Sequence, residues 1–259
     1  NVVLSGAISA TITCTGGNTW SQSIDFSSAA QGTITVNANH DDAAGNAATQ
    51  SSRSFIKDTN NPAITLGAPF FSGGHVVMVG AAKTVSWSGT SDVGTGIASI
   101  SVEYFNSSSA WTTVASGETN DGSYTWTIPN DVHAAARIRL RIYDVAGNSE
   151  TDTGLPFTIV PAVTAPTSLS WTQTSPNPAA ALTANWTKNS SAGLASQKIQ
   201  FYSGGSCATT SGAPIALTNA VQSYAWTAPD VGNYSFRVYS VDIDGNEPAS
   251  ACSSTMIVS

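Results

Sequence analysis

Charge is what this sequence has least of. Lys and Arg number 9 and Asp and Glu 16 in 259 residues, 10% in all, and the formal net charge is −7. So few cations exclude a non-specific nucleic-acid binder, which neutralises phosphates with clustered Lys and Arg. No apolar run is long enough for a helix to span a bilayer, so no membrane span is expected in this segment. The opening residues NVVLSGAISA lack Met and the charged start and long apolar core of a signal peptide, so the chain reads as an internal piece of something longer. Cysteine is scarce and odd in number: Cys14, Cys207 and Cys252. A Cys207–Cys252 bond would tie the insertion from Ser203 to Gly212 onto the last strand, but strand order need not bring those edges together, so the pairing stays open. Cys14 would then find its partner outside the segment.

Catalytic signatures are lacking too. There is no Gly-x-Ser-x-Gly elbow, HExxH pair, phosphate-cradling glycine loop or CxxC, and His40, His75 and His133 are scattered. His40 occupies the strand position that matches Ile142, which predicts a partly buried structural imidazole. No enzymatic activity and no cofactor are expected.

What is present is repetition. Asp42-Ala43-Ala44-Gly45-Asn46, Asp144-Val145-Ala146-Gly147-Asn148 and Asp242-Ile243-Asp244-Gly245-Asn246 recur at a period near one hundred residues, the length of a β-sandwich. Each follows an alternating run: Ile34, Val36, Ala38; Ile138, Leu140, Ile142; Tyr234, Phe236, Val238. Alternation with period two running into a Gly-Asn turn means a half-buried strand feeding a hairpin. Trp126 in Tyr124–Pro129 matches Trp226 in Tyr224–Pro229, Trp87 matches Trp186, and Trp20 is the first copy's counterpart. These indoles are expected in cores. With 41% hydrophobic residues, ordinary packed cores are available. Pro-bearing joints at Asp58–Pro62 and Pro161–Pro166 divide the chain into 1–60, cut short at its front, 61–162 and 163–259. The fold class expected is all-β, with antiparallel β-sandwiches in tandem, end to end.

Units two and three resemble fibronectin type III and related bacterial Ig-like repeats. The resemblance rests on Ala165–Trp171 followed by Leu182–Trp186, and on Asp230-Val231-Gly232-Asn233-Tyr234, which is similar to an Ig-type tyrosine corner. Unit two departs from it, reading Asp131-Val132-His133-Ala134-Ala135-Ala136, so its corner must be held some other way. The Asp-x-x-Gly-Asn hairpins resemble those in tandem repeats of large bacterial surface proteins and adhesins.

Candidate sites are few. Arg137, Arg139 and Arg141 share one face of a strand, with Glu103, Glu150 and Asp152 expected across from them as ion-pair partners. That favours a solvated face; a patch for an anionic glycan would need those carboxylates to point elsewhere. Trp111 with Phe105 at an edge strand could stack on a sugar ring. Asp242, Asp244 and Glu247, with linker Asp58 as another candidate, offer too few oxygens for calcium, so no metal is expected. Extracellular or cell-surface placement follows from the resemblance, with surface glycans or other proteins as partners. The function expected is a structural and adhesive stalk segment. The alternative is a spacer or carbohydrate-binding accessory to an extracellular enzyme.

Overall fold

Strands form wherever apolar and polar residues alternate, and no helix occurs among the described residues. The computed structural model describes residues 1–15, 21–41, 44–173, 177 and 179–259. Trp20 and Asp42 therefore lie outside the described residues. Near the start, β1 (Val2–Gly6), β2 (Ala10–Ile12), β3 (Gly32–Ala38) and β4 (Ser51–Lys57) form one antiparallel sheet in the order β2-β1-β3-β4. Leu4 and Ile34 are buried on it beneath Ile24, Phe26 and Ala29. The Lys57 ammonium donates to the carbonyls of Phe26, Ser27 and Ala29 and holds that covering segment against the edge strand. β3 ends at Ala38, so His40 lies beyond the strand and is exposed, not a half-buried imidazole: alternation stops where the sheet loses its apolar cover.

Next come β5 (Ala63–Leu66), β6 (Val76–Met78), β7 (Ala82–Ser91), β8 (Ile97–Phe105), β9 (Trp111–Glu118), β10 (Ser123–Thr127), β11 (His133–Asp144), β12 (Ser149–Thr153) and β13 (Phe157–Val160). One sheet runs β10-β7-β5 and the other β6-β13-β11-β8-β9, with β12 also on β11. Pairing is antiparallel except between β6 and β13. This is the Ig-like division, with the first, second and fifth main strands facing the third, sixth and seventh. Ile138, Leu140 and Ile142 are fully buried against Trp87, Trp126, Phe70 and Phe157.

The last set repeats the plan: β14 (Thr167–Trp171), β15 (Ala181–Thr187), β16 (Leu194–Ser203), β17 (Thr209–Thr210), β18 (Ile215–Thr218), β19 (Ser223–Thr227), β20 (Gly232–Asp242) and β21 (Met256–Val258). Its sheets run β14-β15-β19 and β17-β16-β20-β21, with β18 on β16. Phe201 and Trp226 stack at 4.4 Å between ring centroids, inside a core that includes Phe236 and Val238. Trp186 donates its indole N–H to buried Gln197 at 2.8 Å, so neither polar group is left unpaired. In strand order, the first sheet matches the β8-containing and β16-containing sheets. The chain is a tandem of Ig-like, fibronectin type III-like folds.

The two complete corners are fastened differently. Tyr234 donates its phenol to the Asp230 carbonyl at 3.1 Å, as the sequence suggested. Beside Asp131 the phenol comes from another strand: Tyr104 on β8 donates to the Asp131 carboxylate, which also accepts from the Ser107 amide at 3.0 Å. Burial, and then this bond, push the Tyr104 phenol well above its ordinary pKa.

Candidate functional site

Three carboxylates meet where the first joint enters the β5–β13 sandwich. Asp58 follows β4, Asp92 follows β7, and Asp144 ends β11, so three separate segments deliver them to one end of the fold. An oxygen from each lies within 4.8 Å of the others. Asp144 is buried and receives the Asn148 amide at 2.8 Å and the Asn148 side-chain amide at 2.7 Å. Those two bonds hold the Asp-x-x-Gly-Asn turn, in which Gly147 takes a positive φ of 95°. Asp92 accepts from the Gly96 amide through Oδ2 at 2.6 Å, while its Oδ1 is buried without a partner. Asp58 accepts from the Thr95 hydroxyl and amide, each at 2.8 Å, and from the Asn60 amide at 3.1 Å. The Thr95 hydroxyl above all holds the Asp58 carboxyl below the usual range. A side chain at Gly94 would collide with the Asp58 carboxylate, which is why the 92–96 loop can wrap so closely around it.

No Lys, Arg or His among the described residues forms an ion pair with this trio. Like charges this close repel, and a buried orphan acceptor adds a desolvation cost. An all-oxygen, acidic donor set suits a hard divalent cation, above all calcium, which takes carboxylates, carbonyls and waters together. The orphaned Asp92 oxygen and the uncompensated charge fit such an ion.

The second joint shows the same architecture without a cluster of carboxylates among the described residues. Ile243 donates to the Gly193 carbonyl at 3.0 Å, as Val145 donates to that of Gly96 at 3.0 Å, so the two loops superpose in role. Asp242 holds its turn through the Asn246 amide and side chain at 2.8 and 2.9 Å. Asn189, four residues before Gly193, stands where Asp92 stands before Gly96. Its side-chain amide donates to the Thr164 hydroxyl at 2.7 Å. Ser191 donates to the Pro161 carbonyl and Ser240 to that of Thr164, at 2.7 and 2.9 Å. This joint satisfies itself with neutral hydrogen bonds between linker and loop and with the Lys83–Asp244 ion pair.

The carboxylates singled out from sequence are drawn apart. Asp244 pairs with Lys83 and Glu247 with Lys198, so neither joins Asp242; only Asp58 enters a cluster. On β11, Arg139 pairs with Glu103 and lays its guanidinium 4.2 Å above the Trp111 ring, whose other neighbour is Phe105 at 5.2 Å. Glu150 and Asp152 do not face the arginines. The hairpin register sets Glu150 opposite Ile142 and Asp152 opposite Leu140, with Thr151 and Thr153 opposite Arg141 and Arg139. Asp152 instead accepts from the Leu66 amide at 2.8 Å, and Glu150 accepts from Asn61. Arg137 and Arg141 form no ion pair among the described residues. Cys207 and Cys252 are joined by a disulfide, and Cys14 is a free thiol. The signal that sequence reading missed is Asp92-Val93-Gly94-Thr95-Gly96, in which Gly94 leaves room for a linker carboxylate.

No known family profile and no curated protein matches the sequence. Among solved structures, the chain is similar to the chicken CNTN1 FN1-FN3 domains, with 12% identity and a TM-score of 0.44 over 87% of this chain and 75% of that one. It is also similar to the fibronectin(III)-like modules of Clostridium thermocellum CbhA, with 18% identity and a TM-score of 0.37 over 76% and 94%. A Ca2+-stabilized, ice-binding adhesin of an Antarctic bacterium gives 17% identity and a TM-score of 0.39 over 88% and 56%. The likeness is one of fold, to fibronectin type III-like β-sandwiches. No helix among the described residues is long and apolar enough to cross a membrane.

Proposed function

We propose that this chain is a structural and adhesive stalk segment of a secreted or cell-surface protein, built of units at 1–60, 61–162 and 163–259. In this reading the first joint is stiffened by a bound calcium ion. The observation that supports it is the convergence of Asp58, Asp92 and Asp144 on the segment between two sheets, with one buried oxygen unpartnered. Asp144 is anchored to its turn, Asp92 to Gly96 and Asp58 to Thr95, so all three are preset. Binding therefore adds a tie to a linker that Thr95, Asn148 and the Val93 carbonyl already hold against the end of the sandwich, and makes its release costlier. The ion supplies positive charge among three carboxylates; the protein supplies their placement. At a free calcium concentration ten times the dissociation constant, mass action adds about 1.4 kcal/mol to the unit that holds the ion. Extracellular modules of this kind bind in the range of about 0.1 to 1 mM.

Small-angle scattering with calcium and with chelator tests the reading. A maximum dimension that lengthens and sharpens with calcium supports a stiffened joint. Scattering curves that superimpose in the two conditions would refute it.

A further inference from the structure

A groove of about 490 Å³ opens in the β5–β13 sandwich, toward the end of β11 opposite the acidic joint. β10 closes one sheet and β9 the other, and the groove lies between these two edge strands. Tyr124, Thr125, Trp126 and Thr127 all line it. Successive residues of a strand point to opposite faces, so a run of neighbours meets one cavity only along the strand's free edge. The buried rings of Tyr104 and Trp126, with centroids 5.2 Å apart, make the floor, and the half-buried Tyr124 ring makes a wall.

The polar groups here are not all matched. Asp131 is the only charged residue in the lining. Its Oδ2 accepts from the Tyr104 phenol and from the Ser107 amide at 3.0 Å, while its Oδ1 has no partner among the described residues and 20% of the side chain stays exposed. Burial works to raise this carboxyl, but the bonds from Ser107 and Tyr104 hold it below its ordinary range, so it is ionised and can only accept. His133 lies 3.8 Å from Oδ2, outside the lining. Trp87 and Trp186 donate their indole N–H groups to Asn120 and Gln197, whereas that of Trp126 finds no acceptor among the described residues and is not sealed from solvent. The rim is preset: Asn106 accepts from the Ser108 and Ala110 amides, each at 3.1 Å, and donates to the Thr112 hydroxyl at 2.9 Å. A preset rim lowers the ordering cost of binding.

An anion would meet the Asp131 charge, a bare organic cation would leave the indole donor unmatched, and a hydrocarbon would leave both groups unmatched. A hydroxylated ring answers both, since each hydroxyl donates and accepts, and its C–H face suits an aromatic wall. We propose that this groove binds one neutral sugar ring, with one hydroxyl donating to Asp131, another accepting from the Trp126 indole, and the apolar face of the ring against Tyr124. The site goes beyond the stiffened joint and does not depend on the cation there.

The test is an amide-resonance titration of the whole chain with the methyl glycosides of glucose, galactose and mannose, and with glucuronic acid and tetramethylammonium as separate arms. A neutral glycoside should shift the amides of 124–127 and of Asp131, while glucuronic acid and tetramethylammonium bind about tenfold more weakly. Tyr124→Leu, which keeps apolar bulk and loses the aromatic ring, should weaken the sugar about tenfold. Asp131→Asn, which keeps an acceptor and loses the charge, should retain the neutral sugar and admit glucuronic acid, and the two variants guard against one failing to fold. Trp111→Ser should bind like the parent, because Arg139 already covers that ring. Unmoved resonances with all three glycosides would overturn the proposal; so would equal binding of tetramethylammonium, which makes the groove a cation site, or equal binding of glucuronic acid to the parent, which removes the role of Asp131. Calcium-dependent scattering is measured on the same samples, so failure of the sugar site and failure of the stiffened joint are read separately.

Discussion

The two joints are built on one plan and filled with different chemistry. Each has an Asp-anchored turn, a loop whose glycine carbonyl is bonded by the residue after that Asp, and a linker laid across the end of a sandwich. The first gathers Asp58, Asp92 and Asp144; the second joins Asn189 to Thr164 by a neutral hydrogen bond, and its exposed acid, Asp244, is already paired with Lys83. The turn aspartate is therefore structural in both, and the other two positions decide whether the joint needs an ion. One chain thus contains its own control.

The largest expected effect is at the turn aspartates. Asp242→Ala should destabilise its unit by about 2 kcal/mol, in chelator and calcium alike, because it removes the buried carboxylate that accepts from the Asp244 amide and from the Asn246 amide and side chain and so holds the turn. Asp144→Ala should cost clearly less than that in chelator, where losing one of three crowded negative charges offsets the lost bonds, and more in calcium. Thermal melts of both variants in both buffers check the crossover.

Next in size is Asp92→Asn, which should melt at least as high as the parent in chelator and show no rise with calcium. The converse exchange, Thr164→Asp with Asn189→Asp, should confer a calcium-dependent melting shift on the second unit. If that double variant ignores calcium, position in the joint is not what selects the ion.

A smaller effect comes from pH. Asp58 has a carboxyl held below its ordinary range by Thr95, so it adds stability above the unfolded carboxylate pKa, and that contribution disappears as pH falls through its lower folded value. Thr95→Val should weaken this acid-side dependence at the first joint. Adding calcium should push the loss in the parent to lower pH, since the ion competes with the proton. The second joint has no such carboxyl on its linker and should show no calcium-dependent change in its acid profile.

The smallest is Lys83→Ala. Its ammonium pairs with Asp244 across the second joint, with both side chains about a quarter exposed, at 23% and 28%. Such a pair contributes about 0.2 to 1 kcal/mol and fades with salt. Loss of the pair should leave calcium behaviour untouched.

Strand identity was legible because β11 alternates without a break from Ala136 to Ile142, as β20 does through Tyr234, Phe236 and Val238, and burial of every second apolar side chain leaves one choice of face. Hairpin register was not. The ladder between β11 and β12 puts Thr151, not Glu150, across from Arg141, an offset of one residue that moves each carboxylate to the other face. The basic stripe is instead compensated once, by Glu103 on β8, at the position where sequence placed it. His40 was misread because alternation was extended past Ala38, where no second layer covers the sheet. The acidic trio was hidden for a different reason. Asp58, Asp92 and Asp144 belong to three segments that only the closed sandwich brings together, and the one local trace, the glycine-rich run from Asp92 to Gly96, does not name its partners. The compact acidic run at 242–247, which spacing does favour, is dispersed by Lys83 and Lys198.

An amide-resonance titration with calcium chloride most directly tests whether the two joints differ in kind. Shifts that saturate at Asp58, at 92–96 and at 144–148, with 164, 189–193 and 242–246 unmoved, are the predicted result. Equal movement at both joints, or none at the first, would contradict it.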